Sequence, residues 1–238
     1  MIHRFDTVPS TQDIAHRLAA DGAGDGTAVI AAAQTGGRGT RGRRWIAEPG
    51  GLWASVIVRP SRESVQPLSI RVGLAVASAL DQLSGTKPIE LKWPNDLLLQ
   101  GRKLGGILIE ARWIGDRLGW VVVGLGVNVT NPIAHPLAAE AIALREVAPG
   151  ATLAQVESLA LEAILEAAAA TGPLGPAEIG RFASRDWLKG RPLVGQPGAT
   201  GDGITPAGEL VLRHADGRRT TVASPAALPD LAGPPIPI

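Results

Sequence analysis

Residues 34–45, Gln-Thr-Gly-Gly-Arg-Gly-Thr-Arg-Gly-Arg-Arg-Trp, set Gly36, Gly37, Gly39 and Gly42 among Arg38, Arg41, Arg43 and Arg44. Glycine lets a backbone approach a ligand closely and adopt positive φ, while guanidinium groups offer forked donors matched to phosphate and carboxylate oxygens. A loop of this kind closes over an anion with main-chain N–H groups as well as side chains. The same composition also serves flexible basic tails that bind nucleic acid, so its meaning depends on what else the chain supplies. The chain supplies Lys92 and Lys103, with Asn95 and Asp96 between them. Arg38, Arg41, Arg43, Lys92 and Lys103 together suit a reaction that brings two anions into contact, such as a carboxylate attacking the α-phosphate of a nucleotide. A carboxylate is already nucleophilic at neutral pH. What the reaction needs is fixed cations and N–H donors that offset repulsion and stabilise charge on phosphorus. Unit charges about 4 Å apart repel by several kcal/mol at an effective dielectric near about 20, so one bridging lysine matters.

Local patterns predict the elements that position these groups. The apolar run 28–33 reads as a buried strand leading into the glycine–arginine loop. Upstream, Ser10 or Thr11 can cap a helix with Asp13 in its first turn and Ile14, Ala15, Leu18 and Ala19 on its apolar face. The glycines at 22, 24 and 26 precede a strand instead of following one, so they do not make a dinucleotide fingerprint. Strands are expected at 50–58, 89–93, 97–99, 104–110 and 120–129, with a hairpin turn at 100–102 that leaves Lys103 at its mouth. Gly105, Gly106, Gly124 and Gly126 weaken these strands unless a backbone or ligand must come close. Helices are expected at 68–83, 138–147, 152–170 and 177–188. Beyond Gly190 the composition changes: strand-like runs at 209–213 and 219–223 flank an Ala215-Asp216-Gly217 turn and predict a small β appendage, followed by a loosely held proline-rich tail from Pro225.

Composition removes several function classes. With 23 basic and 22 acidic residues in a chain of 238, the net charge is +1, and no global field draws the protein onto DNA, RNA or an anionic membrane. Tyrosine is absent and phenylalanine scarce, which leaves little for a base-stacking platform. The lack of cysteine excludes disulfides, thiolate metal sites and a cysteine nucleophile. His3, His16, His135 and His214 lack metal-ligand spacing, and no Walker loop, nucleophile elbow or kinase signature occurs. No apolar leader or membrane-length run is present, so a cytoplasmic location without membrane contact is expected.

Five blocks occur in order: Ser10-Thr11-Gln12, residues 34–45, Lys92-Trp93-Pro94-Asn95-Asp96, residues 103–110 (Lys-Leu-Gly-Gly-Ile-Leu-Ile-Glu) and Gly124-Leu125-Gly126-Val127-Asn128. Together they resemble the successive signature blocks of biotin–protein ligases, a combination far more specific than any one block. The resemblance implies a two-step enzyme. Biotin and ATP, with Mg²⁺, give biotinyl-5′-adenylate and pyrophosphate, and the biotinyl group then passes to a lysine of a carrier, typically the biotin carboxyl carrier protein of acetyl-CoA carboxylase. It also implies an α/β (α+β) fold: a mixed-sheet core like that of class II aminoacyl-tRNA synthetases over 1–189, then a small, shortened SH3-like β-barrel over 190–238. A monofunctional form without a winged-helix domain ahead of Phe5 is expected, and a homodimer is admitted.

Site roles follow from the same resemblance. Ser10, Thr11, Gln12, Gln34, Arg38, Gly39, Thr40, Trp45, Lys103 and Gly106 are expected to bind biotin. Arg38, Arg41, Arg43, Trp45, Lys92, Asn95, Asp96 and Asn128 are expected at the nucleotide, with Asp96 as the metal residue. Lys103 and Arg38 are the implied catalytic pair, Lys103 bridging the biotin carboxylate and the phosphate. Thr40 stands where many members of the family carry arginine. Two rivals remain: a lipoate- or octanoyl-transferring relative, disfavoured by the 92–96 block and the full arginine loop, and a non-enzymatic nucleic-acid-binding module, disfavoured by charge and scarce aromatics. The change at Gly190 further predicts that removing everything after Leu188 hurts transfer to the carrier or use of ATP more than it hurts the stability of the core.

Overall fold

Seven strands make one mixed sheet in a computed structural model that describes residues 1–85, 88–133 and 137–224. They are β1 (Ile2–Val8), β2 (Ala28–Gln34), β3 (Leu52–Val58), β4 (Glu90–Lys92), β5 (Asp96–Leu99), β6 (Arg102–Ile114) and β7 (Arg117–Val127), in the order β1-β2-β3-β7-β6-β5-β4. β1 is parallel to β2, and every other neighbouring pair is antiparallel. β1 has no counterpart among the sequence expectations. It is an edge strand whose residues are mostly exposed, so it carries no apolar run to announce it.

The period-two alternation of β3 and β7 divides the core between the two faces of the sheet. Leu52, Ala54, Val56 and Val58 of β3, with Val121, Val123, Leu125 and Val127 of β7, join the main cluster with α2 (Leu68–Ser84) and α3 (Leu153–Ala169). On the other face, Ile57, Val122 and Val29 meet Ala15 and Ala19 of α1 (Thr11–Ala20) in a smaller cluster. Thr152 caps α3: its hydroxyl accepts from Gln155 N, while Gln155 Oε1 accepts from Thr152 N. Ser10 is the N-cap residue of α1, but its side chain makes no capping bond and accepts from Arg38 instead. The turn between β5 and β6 is tight, with Gln100 and Gly101 both at positive φ (55° and 73°).

Residues 138–147 do not form the expected helix. Only short 3₁₀ turns occur there, at Leu137–Ala139 and Leu144–Glu146. The backbone between them pairs with the sheet. Lys103 N donates to Glu140 O (2.7 Å), Ile142 N to Lys103 O (3.0 Å) and Leu144 N to Asn128 O (2.9 Å). Ala141, Ile142, Ala143 and Leu144 are all buried, a continuous apolar run that serves an edge strip better than a one-sided helix. Lys103 consequently lies within a pairing strand, between Leu98 of β5 and this strip, and not at an open hairpin mouth.

After α4 (Pro176–Arg185) the appendage contains β8 (Pro192–Leu193), β9 (Gln196–Ile204), β10 (Leu210–His214) and β11 (Arg219–Val222). These form an antiparallel sheet in the order β11-β10-β9-β8, and among the described residues no closed barrel is made. The tail from Pro225 lies outside the described residues. Leu193, Ala199, Ile204, Leu210 and Leu212 belong to the same apolar cluster as the core, so burial shows no gap at Gly190. Among the described residues, no helix is long and apolar enough to cross a membrane.

Candidate active site

On the α1 face of the sheet, β7 presents Gly124 and Gly126. Gly124 lies between Ser55 of β3 and Leu108 of β6; two residues along, Gly126 lies between Trp53 and Gly106. The sheet surface is therefore low beyond the end of α1, and a cleft of about 680 Å³, counting its open mouth, lies on it. The indole of Trp45 fills part of this space. A Cβ on Gly126 would fall 2.7 Å from Trp45 Cζ2, and one on Gly106 would fall 3.3 Å from Cζ3. The glycines that local reasoning assigned to a close approach admit an aromatic ring here. Trp53 packs edge-on beneath Trp45 (ring centroids 6.2 Å apart) and is itself buried.

One end of the cleft is polar. Gln34 Oε1 accepts from Thr11 N (2.8 Å) and Thr11 Oγ1 (3.2 Å), and Thr11 Oγ1 also meets Ser55 Oγ at 2.8 Å. Gln12 reaches the same floor: its Nε2 donates to Glu110, but its Oε1 is buried with no protein partner, near Gly124. The indole Nε1 of Trp45 is likewise buried and unpartnered. Orphaned buried polar atoms are costly, and two of them in one cleft are what a site built for a polar ligand leaves on its walls.

The other end is cationic. Lys103 Nζ lies 2.9 Å from Asp96 Oδ1 and 5.2 Å from the centre of the Trp45 ring. Burial, opposed by Asp96 and reinforced by Lys103 and Arg43, holds Lys92 below the ordinary lysine range. Lys92 and Lys103 thus share the Asp96 carboxylate with Arg43 close by, a cationic surplus that an anion would relieve. Asn95 closes this end, with Nδ2 donating to Ile107 O (2.6 Å). Lys92 also stacks on Trp187 (5.1 Å), which carries Arg191 of the appendage on its ring at 4.5 Å.

The glycine–arginine loop roofs the cleft as a small hairpin. Trp45 N donates to Gly37 O (2.9 Å) and Gly39 N to Arg43 O (2.8 Å). At the tip, Arg41 takes φ 62° and Gly42 φ 68°. Arg43 Nη2 donates to Thr40 Oγ1 (3.3 Å). Arg38 turns back into the protein, where Glu110, Ser10 and Asp13 hold it.

Of the expected biotin residues, Ser10, Thr11, Gln12, Gln34, Arg38, Gly39, Thr40, Trp45, Lys103 and Gly106 all line the cleft, as do Arg43, Asn95 and Asp96 from the nucleotide set. Lys92 stands just outside the lining, and Arg41 is exposed at the loop tip. Asn128 is fully buried away from the lining; its Oδ1 accepts from Asn131 Nδ2 (3.0 Å), and its Nδ2 is buried without a protein partner. Sequence reasoning missed Ser55 and Leu108 as lining residues and gave Glu110, His16 and Asp13 no role around Arg38. The signal for Ser55 was its isolation as a polar residue within an apolar strand. No group of three or more His, Asp or Glu side chains able to hold a metal occurs among the described residues.

Residues 5–128 match the family model described as the biotin/lipoate A/B protein ligase family. A bifunctional ligase/repressor of Bacillus subtilis is 39% identical over 129 residues, covering 53% of this chain and 39% of that protein. A biotin–[acetyl-CoA-carboxylase] ligase of Mycobacterium tuberculosis is 40% identical over 131 residues, covering 52% of this chain and 47% of that one. The chain thus spans less than half the length of these curated relatives. A solved biotin protein ligase from Aquifex aeolicus, in complex with biotin and ATP, superposes with a TM-score of 0.78 at 28% identity, over 94% of this chain and 95% of that one.

Proposed function

This chain belongs to the biotin/lipoate A/B protein ligase family, and we propose that within it the protein activates biotin as biotinyl-5′-AMP and transfers the biotinyl group to a lysine of a biotin carboxyl carrier protein. The observation that carries this proposal is a single cleft with a polar end at Thr11, Gln12, Gln34 and Ser55, an apolar middle and a cationic end at Lys103 and Arg43, with Lys92 just outside it. Biotin has the same order of groups: a cyclic urea with N–H donors and a carbonyl, an apolar chain, and a carboxylate. A lipoyl or octanoyl head has no donors to match Gln12 Oε1, which disfavours the acyl-transferring relatives covered by the same family description. In the first step a carboxylate oxygen bonds to the α-phosphorus and pyrophosphate leaves. Lys103 would face both anions, and Arg43 and Lys92 the phosphates. In the second step the carrier amine bonds to the acyl carbon, AMP leaves, and the amine's proton passes to solvent.

The donor set fits a Mg²⁺ ion that arrives on phosphates and not a pre-built cage: Asp96 is the sole acidic group among the cleft-lining residues, and Mg²⁺ ordinarily takes one or two carboxylates together with substrate phosphates. Such an ion would neutralise phosphate charge beside Asp96. Residues 1–189 would carry the chemistry, while the appendage supports the cationic end through Arg191 and Trp187. A cytoplasmic location belongs to this reading, since ATP and a carboxylase carrier are both met there. Biotin-dependent exchange of pyrophosphate into ATP by the purified chain tests the proposal; exchange driven only by lipoate or octanoate would replace it with the acyl-ligase alternative.

Trp45 gives this proposal an optical test. Biotin in the cleft must contact or displace an indole that now lies over Gly106 and Gly126. Addition of biotin should therefore change tryptophan emission in the wild type and leave it nearly unchanged in Trp45→Phe. An unchanged emission from wild type that demonstrably binds biotin removes Trp45 from the site.

Thr40 predicts how firmly the adenylate is kept. An arginine at this position could make a charge-assisted contact, whereas the present hydroxyl accepts from Arg43. Thr40→Arg is expected to slow adenylate release about tenfold, the scale of one such contact, and to reduce labelling of a bystander protein. Equal release from both proteins means that Arg38, Arg43 and their neighbours already hold the lid.

A further inference from the structure

Activation of biotin by Lys103 and its neighbouring cations leaves one well-connected group without a task. Glu110 lies on the cleft face of β6, beyond Gly106 and Leu108. Its carboxylate accepts from Arg38 Nε (3.2 Å) and Nη2 (3.0 Å), from Gln12 Nε2 (3.0 Å) and from His16 Nε2 (3.1 Å). Gln12 and His16 are four residues apart, on one face of α1, so a single carboxylate gathers both. Trp120 Nε1 of β7 donates to His16 Nδ1 at 3.0 Å, so the proton given to Glu110 resides on Nε2. The His16 bond, with the Arg38 pair acting against the effect of burial, holds the Glu110 carboxyl at about 2. It is therefore charged throughout the neutral range. Arg38 Nη1 is engaged as well, with Ser10 Oγ at 3.2 Å and Asp13 Oδ1 at 2.8 Å, which leaves little of the guanidinium for a ligand.

We propose that Glu110 is a positioning residue: it clamps Arg38, and through it the N-terminal limb of the glycine–arginine loop, over the cleft, while aiming Gln12 at the cleft floor. The physical need is entropic. Gly36, Gly37, Gly39 and Gly42 give the loop more freedom to lose on closing than other residues would, and a forked, charge-assisted pair offsets that loss at one fixed point. Arg38 on this account is an anchor for the roof, and the anions are met by Lys103, Arg43 and Lys92. The proposal relies on the biotin-ligase function only for what the roof covers.

Two readouts test it on the full chain with Glu110→Gln. First, trypsin should cut after Arg41, Arg43 or Arg44 about tenfold faster in ligand-free Glu110→Gln than in wild type, the effect of losing roughly one charge-assisted bond. Second, the KM for biotin in pyrophosphate exchange should rise about tenfold with kcat changed much less, and Glu110→Gln should cost clearly less in an Arg38→Ala background than in wild type, the remainder being its hold on Gln12. Glu110→Asp, which keeps the charge on a shorter arm, should fall between. If Glu110→Gln does not fold, Arg38→Lys breaks the fork from the other side and should expose the loop to the same degree. Wild-type trypsin kinetics together with independent, additive losses would overturn the proposal. Failure of the wild type to exchange pyrophosphate with biotin would remove the ligase function and leave the trypsin comparison interpretable.

Discussion

Lys103→Ala is expected to lower adenylate formation by on the order of 10²–10³-fold in a protein that still folds. On the proposed function the loss is large because the ammonium stands where two anions would meet, with its side chain only 12% exposed, 2.9 Å from Asp96 and against the face of Trp45. Water screens such a position poorly, so no solvent counterion substitutes at full strength. Removal also leaves Asp96 without its ion-pair partner, facing the phosphates as an added negative charge. The fold should persist, since residue 103 is held through its backbone by Leu98 on one side and by Glu140 and Ile142 on the other. Pyrophosphate exchange, normalised to the urea midpoint and circular dichroism of each protein, measures the effect. A normal rate would return Lys103 to the role of ordinary strand decoration.

Deleting everything after Leu188 should unfold the catalytic core, contrary to the expectation drawn from composition. Trp93 is 3% exposed, and its indole N–H donates to Gly208 O at 2.9 Å. Leu174 N donates to Pro206 O at 2.7 Å. Loss of both acceptors leaves two donors unsatisfied wherever water does not reach them, at ~1–3 kcal/mol each. The larger effect is apolar. Leu193, Ala199, Ile204, Leu210 and Leu212 close the cluster that contains Leu91, Trp93 and Phe182, and their removal opens it to water. Full burial of a large aliphatic side chain is worth about 1.5–3 kcal/mol, so several such losses rival the ~5–15 kcal/mol stability of a typical domain. Urea denaturation of residues 1–188 should show no cooperative transition. A transition as sharp as that of the full chain would make Gly190 a true domain boundary.

Local pattern settled much of the frame. The apolar runs of β2 and β3, the tight turn at Gln100-Gly101, the Thr152–Gln155 cap of α3 and the β10–β11 hairpin each depend on residues a few positions apart, which periodicity and turn chemistry can express. The residue inventory also determined which chemistry was available: cations and glycine-framed backbone, without thiols or metal-ligand spacing of histidines. Tertiary structure decided the rest, because it depended on which distant groups meet. Arg38 stood in the sequence as one more cation of the loop, and only folding paired its fork with Glu110, 72 positions away. Gly106 and Gly126 signalled close approach, but only folding put the Trp45 ring there. Residues 138–147 have helix-compatible composition, yet the backbone groups of Lys103 and Asn128 left open at the ends of β6 and β7 drew them into an edge strip. The appendage read as separate because its composition changes at Gly190, whereas its acceptor for Trp93 lies 115 residues along the chain and its leucines complete the common core. Composition is a property of neighbours in sequence, and burial a property of neighbours in space, which is why the first could locate the appendage and only the second could join it to the core.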